Sequence, residues 1–98
     1  MTASPSALPP GLVSYKRTAV FTEASVPAGL LGDHQTKEGV WGLIHVEQGQ
    51  VVYCITDPRR KACERTLSPA DPPGVVEPTI AHHVRPTGDA LFWVEFFR

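Results

Sequence analysis

Val40-Trp-Gly-Leu-Ile-His-Val-Glu-Gln-Gly-Gln-Val-Val-Tyr-Cys-Ile-Thr56 is the stretch on which the fold turns. It holds two runs rich in Val, Ile, Tyr and Trp with Gln48-Gly49 between them, which predicts a β-hairpin closed by a two-residue turn. Such a turn sets Val46 against Val51, Ile44 against Tyr53 and Gly42 against Ile55. Side chains alternate along a strand, so Ile44, Val46, Val51, Tyr53 and Ile55 share the core face while His45 and Glu47 fall on the other. Leu43 and Val52 are then left outside the core, an apolar face on which a second copy of the chain is expected to dock as a homodimer.

Upstream, Tyr15 to Thr22 and Ala28 to His34 read as two short strands, separated by Val26-Pro27, whose proline withholds a ladder hydrogen bond. Residues 1–10 are small, polar and proline-rich and predict a flexible lead-in to a single domain over 11–98. Downstream, Asp57-Pro-Arg-Arg-Lys61 reads as an exposed, solvated basic loop and Ser68-Pro-Ala-Asp-Pro-Pro-Gly74 as a turn-rich connector. Cys63 to Leu67, Val75 to Glu77, Ile80 to Arg85 and Ala90 to Phe97 are further strands, the last two joined through Thr87-Gly88-Asp89. About eight short strands with no helical period predict an all-β sandwich or barrel.

Composition agrees. A chain of 98 residues is one domain that buries roughly 65% of its unfolded surface, and ten Pro with eight Gly favour short elements and tight turns. A net charge of −1 provides no phosphate-seeking field, so nucleic acid is not an expected partner. No apolar run reaches the ~18 residues a membrane helix needs, and Met1 to Pro10 has neither the basic start nor the apolar stretch of a signal peptide; a cytoplasmic protein is expected. Cys54 and Cys63 lack metal-knuckle or redox spacing and read as reduced thiols.

Several spaced segments carry a family likeness. Leu8-Pro-Pro-Gly-Leu-Val-Ser-Tyr-Lys-Arg-Thr18, Phe21-Thr-Glu23, Val26-Pro-Ala-Gly-Leu-Leu-Gly-Asp-His-Gln-Thr-Lys-Glu-Gly-Val-Trp-Gly42, Pro73-Gly-Val-Val-Glu-Pro78 and Phe92-Trp-Val-Glu-Phe-Phe97 follow one another in the order of a known pattern. The chain resembles the cupin-like family found as the N-terminal domain of tellurite-resistance TehB methyltransferases and as free-standing YeaR-like proteins. The resemblance implies a double-stranded β-helix, the jelly-roll β-sandwich of the cupins, around a pocket that often holds a divalent metal. It implies a link with tellurite tolerance and stress response, but no particular reaction, because fold alone assigns none. Methyl transfer is not expected of this chain, which has no glycine-rich loop opening a helix and too few residues for a Rossmann-type domain.

The resemblance also selects residues. Cupin sites combine two or three imidazoles with a carboxylate around an open position. The usual cupin His-x-His and Glu positions before the turn glycine hold Thr36, Glu38 and Gly42 here, so that ligand set is broken. His34 and His82 fall where the similar sequences carry histidine, whereas His45 and His83 read as surface residues. Glu95 lies in an apolar run and needs a partner. A hairpin through Gly88-Asp89 sets it opposite His82, with Trp93 opposite Val84, either as a hydrogen-bonded core pair or as part of a metal site. Lys37, near His34, is placed to attract an anionic ligand at the pocket mouth; Glu77 reads as a turn acceptor and Trp41 and Trp93 as core aromatics.

The expected function is thus metal-dependent binding of a small molecule, an oxyanion among the candidates. His34, His82 and Glu95 would hold one divalent transition metal, zinc before nickel or iron, with Lys37 beside the ligand. The competing readings are a small metalloenzyme, an oxygenase or isomerase, and a metal-free dimeric interaction module.

Overall fold

The computed structural model describes residues 2–98; Met1, part of the expected lead-in, lies outside the described residues. Five strands and one helical turn follow in order: β1 (Ser14–Arg17), α1 (Ala28–Leu31), β2 (Trp41–Ile55), β3 (Cys63–Leu67), β4 (Gly74–Val76) and β5 (His82–Phe97). The all-β, single-domain expectation holds, but the connectivity is not a chain of short hairpins. Val40 to Thr56 contains one strand of 15 residues, and Ile80 to Phe97 contains one of 16. The two pair with each other antiparallel along their whole length, from Trp41 opposite Phe97 to Ile55 opposite His82.

A strand of 15 residues would extend roughly 50 Å. The longest dimension of the molecule is 32 Å. Both long strands therefore bend, and they bend together: the register slips between Val46 and Gln50 on β2, where Gly49 and Gly88 adopt φ of 68° and 65°. A Cβ on Gly49 would come within 2.6 Å of the Gly88 carbonyl oxygen, so only glycine fits there. Gln48-Gly49 and Thr87-Gly88-Asp89 are thus bulged corners in two paired strands rather than hairpin turns. The expected Val46–Val51, Ile44–Tyr53 and Gly42–Ile55 pairs are replaced by Val46–Phe92, Ile44–Val94, Tyr53–Val84 and Ile55–His82.

The corners divide the sheet into two leaves. In the first, β1, the C-terminal half of β5, the N-terminal half of β2 and β4 lie side by side; in the second, the N-terminal half of β5 pairs with the C-terminal half of β2, which pairs with β3. Their inner faces share one core that includes Ile44, Val51, Tyr53, Leu67, Val84 and Phe92. This is the sandwich in which strands switch sheets at bulges. Ile44, Val51, Tyr53 and Ile55 are buried in that core and Val46 packs against it, as the alternation predicts.

Two local expectations are corrected, and the basic loop, exposed at Pro58, Arg59 and Lys61 as expected, gains fixed partners. Ala28–Leu31 is a helical turn, not a strand: Pro27, at φ −59°, opens it and accepts a hydrogen bond from the Leu30 amide at 2.9 Å. The basic loop is tied down, since Arg59 chelates Asp57 (3.0 and 2.8 Å) and Arg60 forms a two-point ion pair with Glu77. Val52, expected outside, is only 8% exposed, mid-sheet between Thr66 and Arg85; Leu43 is half-buried. Residues 3–6 lie along Tyr53 and Cys63, and the Thr2 carbonyl accepts from the Lys61 amide at 2.9 Å.

Candidate functional site

Between the leaves, on the side closed by α1, is a cavity of about 340 Å³. Its walls are apolar, with Phe21 and Leu30 on one side and Ile44, Val84, Phe92 and Val94 on the other. Two imidazoles enter it. The segment holding His34 pairs with the free edge of β5: His34 N–H donates to the His82 carbonyl at 2.7 Å and His82 N–H donates to that of His34 at 2.8 Å. The rings meet edge to face with centroids 5.7 Å apart, and Tyr53 holds the same relation to His82 from the core side.

Local structure fixes this pair. Glu77-Pro78-Thr79-Ile80 turns the chain, with Thr79 at φ 64°, so that β5 starts with His82 in phase with Ile80 and Val84 on the inner face. Asp57 clamps the turn by accepting from the Ala81 amide at 2.9 Å; the Arg59 guanidinium first, then the Ala81 and Arg59 amides, holds its carboxyl far below the usual carboxylate range. His82 is 5% exposed. Its Nδ1 lies 3.0 Å from the Ile80 carbonyl oxygen, so that nitrogen carries the proton and donates, leaving Nε2 with the lone pair. Burial, and then the neighbouring His34 and His83, push its pKa below the ordinary histidine value. The Nδ1 of His34 is buried and has no hydrogen-bond partner among the described residues.

Glu95 is not part of this group. Phe92, Val94 and Phe96 point inward from β5, so Trp93 and Glu95 project from the outer face, Glu95 opposite Leu43 and Arg17 and Trp93 opposite His45. His45 Nε2–H donates to Glu95 Oε1 at 2.9 Å, and the imidazole stacks on Trp93 with centroids 4.0 Å apart. The Arg17 guanidinium sits 3.8 Å from the same indole centroid. Ser14 first, then His45 and Arg17, hold the Glu95 carboxyl below the carboxylate norm against the effect of burial. The expected Glu95–His82 and Trp93–Val84 pairs are therefore corrected: they rested on a hairpin at Gly88, and β5 instead bends there without reversing and stays paired with β2. His45, read as a plain surface residue, is the partner Glu95 needed. His83 also has one, 3.2 Å from Asp33 Oδ1.

This placement bears on the metal that the resemblance implies. His34 and His82 present two imidazoles, but Glu95 is on the far side of the sheet and, among the described residues, no carboxylate or thiol lines the cavity. Among the described residues no group of three or more His, Cys, Asp or Glu gathers as a ligand set. Two nitrogens fall short of the three protein ligands of a catalytic metal centre, so the residues do not fit the group.

Lys37 lines an adjoining cavity of about 310 Å³ that shares Lys16, His34, Thr36 and Phe96 with the first. Lys16, Phe21, Leu30 and Thr36 were not singled out by sequence reasoning. The Lys16–Phe96 pairing, the Phe21–Phe92 bridge, the helical turn and the bond from the Thr79 amide to the Thr36 carbonyl bring them to the cavity, and these are long-range or tertiary facts without a local sequence signal.

Comparison with known proteins agrees with the fold. The family model described as the TehB-like domain matches residues 16–94. The probable S-adenosyl-L-methionine-dependent methyltransferases TehB of Haemophilus influenzae strains 10810 and KW20 Rd are each 31% identical over 81 residues, 82% of this chain. The chain spans only 28% of their length. The crystal structure of H. influenzae TehB superposes with a TM-score of 0.78 at 27% identity, covering 88% of this chain and 31% of that one. A crystal structure of a protein from Escherichia coli K12 superposes with a TM-score of 0.77, covering 94% and 95% of the two chains; at 22% identity it speaks for the fold alone. No helix among the described residues is long and apolar enough to cross a membrane. With four-fifths of its length matched by one family model, the chain belongs to the TehB-like domain family.

Proposed function

We propose that this chain is a binding module for a small organic molecule, held in the cavity between the two leaves with His34 and His82 as its polar contacts. The observation that carries this reading is an apolar cavity of about 340 Å³ into which a fixed pair of imidazoles projects. Ligand pockets combine those two features, an apolar wall and a few oriented polar groups. With its Nδ1 proton engaged by Ile80, His82 offers Nε2 as an acceptor, which suits a ligand hydroxyl or amide N–H. His34 lines the same cavity beside it.

A bare inorganic oxyanion suits this interior poorly, because it would lose its hydration among apolar walls. Tolerance of tellurite or a similar oxyanion enters as a setting, through the family, in which an organic ligand is sensed or carried. Methyl transfer is not part of the proposal: the described residues are antiparallel sheet with a single helical turn. Binding without turnover is the simpler reading, since neither imidazole is linked to a nucleophile or to a carboxylate that would drive acid–base chemistry.

Fluorescence of the neutral probe N-phenyl-1-naphthylamine tests the proposal. Saturable enhancement at one probe per chain is expected, with loss of at least tenfold in affinity in Leu30→Trp and Val84→Phe, one filling the rim and the other the floor. Absence of saturable enhancement, or equal binding in folded forms of both variants, overturns it.

A further inference from the structure

We infer that the cavity takes an amphipathic organic anion, a monocarboxylate with an apolar tail, whose head sits between Lys16 and Lys37 at the mouth and whose tail fills the space between the leaves. This rests on the proposed binding role and names its ligand class. The cavity is asymmetric in charge. The inner space and the adjoining outer one together are lined by Lys16, Lys37, His34 and His82, and by no Asp or Glu. The two lysines are a local excess of positive charge in a chain with ten acidic and nine basic residues and a net charge of −1.

Glu38, next to Lys37, lines neither space, and four other acids nearby are committed elsewhere. Asp33, next to His34, accepts from Thr56 at 2.8 Å and from His83 at 3.2 Å. Asp57 is chelated by Arg59, Glu77 by Arg60, and Glu95 by His45. Among the described residues these ion pairs take up Arg59 and Arg60, and Glu64 meets Arg85, yet none includes Lys16 or Lys37. Two unpaired ammonium groups at the rim of an apolar cavity match a ligand with one anionic end.

Geometry separates the two ends. Lys16 pairs with Phe96 across β1 and β5, at the sheet edge where the outer and inner spaces join. Val84, Phe92 and Val94 form the floor beyond it. A space of about 340 Å³ is at the small end of ligand sites and suits roughly eight to twelve heavy atoms. Octanoate is of that size.

Displacement of N-phenyl-1-naphthylamine by octanoate and by 1-octanol, in the wild type and in the Lys16→Met/Lys37→Met variant, tests the inference. Octanoate should displace at about tenfold lower concentration than octanol, and the advantage should shrink in high salt and vanish in the double variant. Equal displacement by acid and alcohol, or an octanoate preference untouched by the double substitution, overturns the anion while leaving the cavity reading intact. A probe that never binds, or that neither compound displaces, overturns both.

Discussion

His34 and His82 exchange both backbone hydrogen bonds, at 2.7 and 2.8 Å, and so bring two imidazoles into one cavity from adjacent extended segments. The bridge holds the two backbones side by side and closes this edge of the second leaf, while burial and the Ile80 carbonyl hold the His82 ring. Ligand binding in the cavity depends on that pair, and burial governs the titration of His82.

The pKa of His82 is depressed in the folded chain by burial, with His34 and His83 adding to the effect and Asp33 and the Ile80 carbonyl opposing it; Tyr53 faces it from the core. The unfolded chain then binds the proton more readily. Stability should be unaffected above the unfolded value of about 6.5 and fall as pH drops from there toward the lower folded pKa. The depressed carboxylates Asp33, Asp57 and Glu95 lose their contribution only further down, below about pH 4. Urea midpoints between pH 7.5 and 5 should therefore fall in wild type and stay flatter in His82→Gln. An equal decline in both would assign the effect to other groups.

The paired corner predicts unequal costs at two glycines. Gly49→Ala meets the Gly88 and Thr87 carbonyl oxygens at 2.6 and 2.8 Å and a positive φ, and should destabilise by more than about 2 kcal/mol. Gly88→Ala meets only the Gly49 Cα, at 3.9 Å, and should cost about 1 kcal/mol for its φ alone. Denaturant midpoints decide the order, which the reverse ranking would contradict.

On the outer face, His45 is stacked on Trp93 and bonded to Glu95. His45→Ala should cost about 1 kcal/mol, well short of the ~2–5 kcal/mol expected for Ile44→Ala in the core. A double-mutant cycle with Glu95→Gln should give a coupling of about 0.5–1 kcal/mol at pH 6, decreasing with salt. Zero coupling would mean that the contact contributes nothing to stability.

With two imidazoles as the donor set, zinc should bind weakly. Equimolar zinc at pH 7.5, or removal of metal with a chelator, should leave the thermal midpoint within about 1 °C. A rise of several degrees, lost in both His34→Ala and His82→Ala, would restore the metal reading.

The alternation in Val40 to Thr56 identified the core face correctly even though the chain does not reverse there. A two-residue hairpin turn and a bulged corner both keep Val46 and Val51 on the same side, so Ile44, Val51 and Tyr53 face inward under either reading. What differs is the partner strand, and that is a long-range fact: β2 finds β5 some forty residues away. Local turn chemistry at Gly49 and Gly88 is the same for a hairpin and a corner. The misplacement of Glu95 followed directly, since its neighbour depends on which strand lies beside β5. His82 was legible because its phase with Ile80 and Val84 is local, and His34 because the family pattern marks it. Lys16 and Leu30 were not, because they reach the cavity only through the β1 pairing and the Pro27-initiated turn.

If the cavity holding His34 and His82 is a ligand site, long-range ¹H–¹⁵N spectra of the four imidazoles will report it during titration with 1-octanol. Saturable shifts are expected at the His34 and His82 ring nitrogens, with His45 and His83, engaged by Glu95 and Asp33, unmoved. Shifts confined to His45 or His83, or no shift at any of the four, would contradict it.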